Sequence, residues 1–131
     1  MTSPSTIPVL DLGGLLLVSI QGELPDDSAI ALQEDVTTAV ANTGSRGLII
    51  DISTLDMVDS FLARVLAEVA ASSLLLAART VLVGMRPAVA ITLVELGLTL
   101  PGMDTARTVT EAAASFGVTI EQADRTGRGT S

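Results

Sequence analysis

Asp51, Asp56, Asp59 and Ser60 crowd one short stretch of the chain, D-I-S-T-L-D-M-V-D-S. Carboxylates this close to a hydroxyl fit three kinds of chemistry. Asp59 can serve as a helix N-cap, a role that contributes about 1 kcal/mol by accepting a backbone hydrogen bond. The carboxylates together can hold a magnesium ion while one of them accepts a phosphoryl group. Ser60 can itself be the acceptor of a phosphoryl group, at the end of a helix that favours negative charge.

The second possibility fails on composition. A magnesium-dependent aspartyl site of the receiver-domain kind needs another acidic pair after the first strand and a lysine on a later one. Here the first apolar run ends in Leu10-Asp11 beside a glycine turn, and the chain has no lysine. The cap explains Asp59 but leaves an exposed Ser60-Phe61 pair without a purpose. A phosphate on Ser60 would gain the positive end of the helix and Arg64 one turn on, and would be opposed by Asp56 and Asp59. With these terms roughly balanced inside the molecule, the change would be felt by a docked partner, which would meet about 1.5 to 2 additional negative charges.

The elements that must position this turn are legible from the hydrophobic pattern. Residues 7–10 and 15–20 are apolar runs joined by Asp11-Leu12-Gly13-Gly14, which predicts a hairpin. Asp26, Asp27 or Ser28 is then expected to cap a helix carrying Ile30, Leu32, Val36 and Val40 on its apolar face, with Gly44 as its terminator. Residues 47–52 form a continuous apolar run, the pattern of a central strand. After the acidic turn a second helix carries Leu62, Val65, Leu66, Val69 and Leu76 on one stripe. Ser60, Arg64 and Glu68 recur on another face at i, i+4 spacing. Residues 80–83 predict a strand, 88–96 a helix that opens on Pro87 and closes on Gly97, 102–108 an edge strand, and 110–116 a last helix.

The resulting order, β-β-α-β-α-β-α-β-α, implies an α/β fold with helices layered on a mixed sheet of four to five strands. The turn between Asp51 and Ser60 falls at the carboxyl end of a parallel strand, where such folds usually place function. One domain is expected over residues 7–118. A disordered N-terminus over 1–6 and a disordered tail over 119–131 flank it, the apolar pattern being lost from Glu121 onward.

Composition removes most catalytic options. The chain of 131 residues has no Cys, His or Lys, so thiolates, imidazole bases, Schiff bases and a Walker-type phosphate loop are all excluded. No metal site and no cofactor are expected. The net charge of −8 and seven scattered arginines argue against nucleic acid and anionic membranes as partners. Residues 1–6 lack the features of a signal peptide, which points to the cytoplasm.

The run D-I-S-T-L-D-M-V-D-S-F-L-A-R-V-L is preceded by L-L-V-S-I-Q-G-E-L and Q-E-D-V and followed by V-G-M-R-P-A-V-A-I-T-L-V-E-L-G. From about Ile7 to about Val109 these ordered blocks resemble the STAS domain of the RsbS-type stressosome antagonists. Phe61 and Leu62 after the serine, in place of the S-G or T-G of other STAS antagonists, are similar to the stressosome branch. The resemblance implies a STAS fold with about four helices and a non-enzymatic protein that co-assembles with RsbR-type STAS paralogues in a large cytoplasmic core. That core sequesters a GHKL-type serine kinase, RsbT-like, until the kinase phosphorylates the antagonist and leaves to activate the general stress response; a PP2C-type phosphatase, RsbX-like, resets the system. By motif match the phosphorylated residue is Ser60. Asp56, Asp59, Ser60, Arg64 and Glu68 are expected to face the partner. Two other readings of a STAS protein remain: an anti-anti-sigma factor that binds an anti-sigma kinase, and a ligand-binding module.

Overall fold

In the computed structural model, which describes residues 7–22, 24–97 and 103–120, the first two apolar runs become β1 (Val9–Asp11) and β2 (Leu15–Ser19). They pair antiparallel, with Val9 opposite Val18. The Asp11 carboxylate closes the turn by accepting the amide protons of Gly13 and Gly14 at 3.0 and 3.3 Å. There follow α1 (Asp26–Thr43), β3 (Gly47–Asp51), α2 (Ser60–Leu75), β4 (Arg79–Val83), α3 (Pro87–Glu95), β5 (Met103–Ala106) and α4 (Val109–Ser115). This is the mixed α/β arrangement expected from the sequence, with five strands and four helices among the described residues.

The strands lie in the order β1-β2-β3-β4-β5, and every neighbouring pair from β2 onward is parallel. Successive crossovers step the same way across the sheet, so a common right hand sends α1, α2 and α3 to one face. Strand residues alternate accordingly. Leu16, Val18, Leu48, Ile50 and Leu82 join Leu32, Val36, Leu62, Leu66 and Val89 in the larger core, while Leu15, Ile49, Val81 and Val83 meet Ala112 and Ala113 of α4 on the opposite face. β3 is central and its first four residues are fully buried, which is why its sequence reads as an unbroken apolar run.

Several details differ from the expectation. Pro25 stands at the N-cap of α1 with no side-chain cap, and Asp26 and Asp27 lie inside the first turn, where they still complement the helix dipole. Ser28 is buried there, and Ala29 takes the inward position while Ile30 faces out, a rotation of the apolar stripe by one residue. Leu76 is not part of the α2 stripe. The helix ends at Leu75, the chain turns through Ala77 at φ 66°, and Leu76 is left exposed while Ser73 occupies the buried place.

Gly44 ends α1 in the left-handed conformation as expected. Thr108 caps α4 by accepting the Glu111 amide at 3.1 Å, and the Glu111 carboxylate accepts the Arg107 amide in return. Val118 and Ile120, the latter placed in the tail by the sequence pattern, pack against the α4 core. The proposed disordered segment at 1–6 and most of the tail, 121–131, lie outside the described residues, as does Gly102 of the expected edge strand. Among the described residues no helix is long and apolar enough to cross a membrane.

Candidate functional site

Because β3 is the buried centre of the sheet, the loop that leaves it, residues 52–59, emerges in the middle of the rim formed by the carboxyl ends of the parallel strands. Alternating burial holds this loop down. Ile52, Leu55 and Val58 are buried in the larger core, and Ser53, Thr54, Asp56, Met57 and Asp59 are exposed between them. Backbone bonds join it to both neighbours: Ile52 donates to the Val83 carbonyl at 2.9 Å, and Ile20 donates to the Asp51 carbonyl at 3.0 Å. The Thr54 hydroxyl adds a bond to the Ile20 carbonyl at 3.2 Å.

The three acids of the turn do three separate things. Asp51 accepts the Ser53 amide at 2.9 Å and so shapes its own turn. Asp56 pairs with the Arg86 guanidinium. Asp59 is extended, at φ −86° and ψ 174°, and its carboxylate accepts the Leu62 amide at 2.8 Å. Among the described residues no group of three or more acidic side chains gathers to one point.

Asp59 is thus the N-cap of α2 and Ser60 is its first helical residue, exposed to solvent. The first intrahelical bond is Ala63 to the Asp59 carbonyl at 3.0 Å, and the cap occupies the Leu62 amide. Among the described residues the amides of Ser60 and Phe61 have no acceptor, so the serine hydroxyl stands beside two free donors at the positive end of a helix. Phe61, expected to be exposed with the serine, is instead half-buried against the larger core, which fixes the first turn in place. Replacing Asp59 with Ala should lower stability by about 1 kcal/mol in urea denaturation, and Asn, an equivalent cap, should recover most of it.

Arg64 and Glu68 follow Ser60 on α2 and are both exposed, reaching about 12 Å along the helix axis. They form no ion pair with each other, since among the described residues the only ion pairs are Arg79–Asp104 and Arg86–Asp56. Asp56, Asp59, Ser60, Arg64 and Glu68 are therefore all solvent-accessible, while Asp51 is half-buried and turned to its own loop.

Two residues were missed from the sequence. Met57 is 77% exposed at the crest of the loop. It helps line a groove of about 660 Å³ that also touches Leu24, Pro25, Asp59 and Leu62, between the loop and the start of α1. The other is Arg86, at the N-cap of α3, whose Nε donates to the Ser53 carbonyl at 2.9 Å while its guanidinium pairs with Asp56. The available signal was an arginine directly before a helix-opening proline, in the rim loop of the strand adjacent to β3.

The STAS domain family profile matches residues 6–112. A serine-to-glutamate variant of RsbS from Moorella thermoacetica superposes with a TM-score of 0.77 at 39% identity, over 85% of this chain and 94% of that one. A chain from the molecular architecture of the stressosome, described as a signal integration and transduction hub, gives 0.75 at 40% identity, over 84% and 96%. The RsbT co-antagonist protein RsbRD of Bacillus subtilis (strain 168) is 29% identical over 120 residues. That match takes in 92% of this chain but 42% of RsbRD, so the chain spans about two fifths of that relative's length. Profile, sheet order and the blocks around Ser60 agree, and the chain belongs to the STAS domain family.

Proposed function

We propose that this protein is a non-catalytic antagonist that holds an RsbT-like serine kinase within a stressosome-type assembly and releases it when Ser60 is phosphorylated. The observation that carries the reading is an exposed serine at the first position of α2, presented on a well-anchored rim loop, in a chain similar to stressosome RsbS. The serine-to-glutamate form of that relative is consistent with it, since glutamate brings a negative charge to a serine position.

The local electrostatics suit a switch. A phosphate on Ser60 would accept from the free amides of the first turn and meet the favourable end of the helix dipole. Asp56 already has Arg86 as a counter-charge, so the repulsion within the loop comes mainly from the Asp59 cap. The phosphate is therefore tolerated by the fold and adds about 1.5 to 2 negative charges to the surface a partner meets. Asp56, Asp59, Ser60, Arg64 and Glu68 form that surface. An RsbR-type STAS paralogue shares the core, an RsbX-like PP2C phosphatase reverses the modification, and the setting is the cytoplasmic general stress response. The absence of His, Cys and Lys from the sequence fits a protein that is the substrate of an enzyme and does no chemistry of its own.

A sizing column tests this. Mixed with an RsbR-type paralogue and the cognate kinase, the protein should elute in a particle far larger than any binary complex, and ATP should strip the kinase from it. A small complex with the kinase alone would favour the anti-anti-sigma alternative, and no association with either would contradict both.

A further inference from the structure

Among the described residues, Arg86 is the one side chain that ties the Ser60 loop to the neighbouring rim loop by two polar contacts. Its Nε reaches the Ser53 carbonyl at 2.9 Å and its guanidinium the Asp56 carboxylate, across sequence separations of 33 and 30 residues. Two features aim it there. Pro87 at the first helical position fixes the backbone entering α3, so Arg86 stands extended at the N-cap. Gly84, at φ 76°, lets the two loops approach so closely that a Cβ on it would fall 2.5 Å from the Ser53 Cβ.

The pair is too exposed to matter much for global stability, with Arg86 and Asp56 side chains 50% and 80% accessible. Its effect is local. Between the buried anchors Ile52, Leu55 and Val58, the exposed residues of the loop have few other restraints, and Asp56 in particular has no other polar partner among the described residues. The planar guanidinium can serve a carbonyl and a carboxylate at once, which the single ammonium of a lysine cannot do with the same geometry.

We infer that Arg86 is a positioning residue for Ser60: by clasping Ser53 and Asp56 it holds the 53–59 loop in the one shape that the kinase engages. The inference rests on the reading of Ser60 as phosphoacceptor. Without the clasp the loop spends a larger share of its time in other shapes, and a kinase that binds only the clasped form sees its apparent affinity reduced by the clasped fraction. The bound complex is the same in either case, so turnover within it is unaffected.

The test combines amide exchange on the isolated protein with steady-state phosphorylation by the cognate kinase and ATP, for the parent, Arg86→Ala and Arg86→Lys. In Arg86→Ala the Ser53 and Leu55 amides, which donate to Asp51 and Ile52, should exchange about threefold faster, with only a small fall in the urea midpoint. The KM for the protein substrate should rise about threefold with kcat unchanged, and Arg86→Lys should fall between the two. Unchanged exchange in Arg86→Ala overturns the clasp, and faster exchange with an unchanged KM overturns its role in positioning. A fall in kcat with exchange unaltered would mean that Arg86 touches the kinase directly, which also overturns it. If the parent itself is not phosphorylated on Ser60, the underlying reading fails and the inference with it, a result separable from the others because it appears before any substitution is made.

Discussion

Ser60→Ala is expected to accept no phosphate from the cognate kinase and to keep that kinase bound after ATP is added. The substitution removes one exposed hydroxyl and leaves the Asp59 cap, the half-buried Phe61 and the Leu62 anchor in place. Its stability should therefore change by no more than about 0.5 kcal/mol, as for other exposed positions. Capture by the unmodified surface should persist, so a pull-down would show the kinase retained under conditions in which the parent releases it. Ser60→Asp should weaken capture before any ATP is present, by about tenfold or more if the like charge faces an acidic or desolvated part of the interface. The effect should be smaller than that of phosphorylation, because Asp carries one charge where phosphate carries about 1.5 to 2. An Ala variant that releases the kinase normally would place the switch elsewhere.

Gly84→Ala is expected to be the most destabilising single-methyl change on the functional rim. An L-residue in the left-handed conformation costs about 1–2 kcal/mol. At φ 76° Gly84 adopts that conformation, and the new Cβ would also approach the Ser53 Cβ to 2.5 Å and its Cα to 3.0 Å. A backbone atom cannot swing away as a long side chain can, so relief requires moving the start of the loop, at a further cost of about 1–3 kcal/mol. Urea denaturation should show a total loss of about 2–5 kcal/mol. Gly97→Ala is the control: its φ is 66° but among the described residues nothing lies within 4 Å of the added carbon, so only the backbone cost should remain. Equal losses in the two variants would show that the loops are not closely packed at Ser53.

The strand-helix alternation could be read from the sequence because each element carries its own periodicity, and β3 announced its central place by being apolar throughout. The pairing of Asp59 with the Leu62 amide was also legible, since a cap acts over three residues and needs no tertiary contact. Helix limits were harder. Nothing in Leu76-Ala77 signals a stop, because the positive φ falls on an alanine where a glycine is the usual marker, so helical spacing carries the stripe on to Leu76 although the helix has already ended. Spacing points to Ile30 for the apolar face, whereas Ala29, smaller and less conspicuous, is the residue that turns inward.

The Arg86–Asp56 contact was out of reach for a different reason. Its partners belong to loops that meet only once β3 and β4 have paired, and no local rule connects residues 30 apart. Arg64, four residues from Ser60, is the cation that helical spacing points to, yet it is Arg86 that neutralises part of the acidic turn. Sequence spacing finds neighbours along a helix, whereas the rim of a parallel sheet brings together the ends of different ones.

The claim that Ser60 is the switch is tested most directly by mass spectrometry of the intact and digested protein after incubation with its cognate RsbT-like kinase and ATP. The account predicts one added phosphate, on the peptide containing Ser60 and on that residue. A phosphate on another serine or threonine, or none at all with a kinase shown to be active, would contradict it.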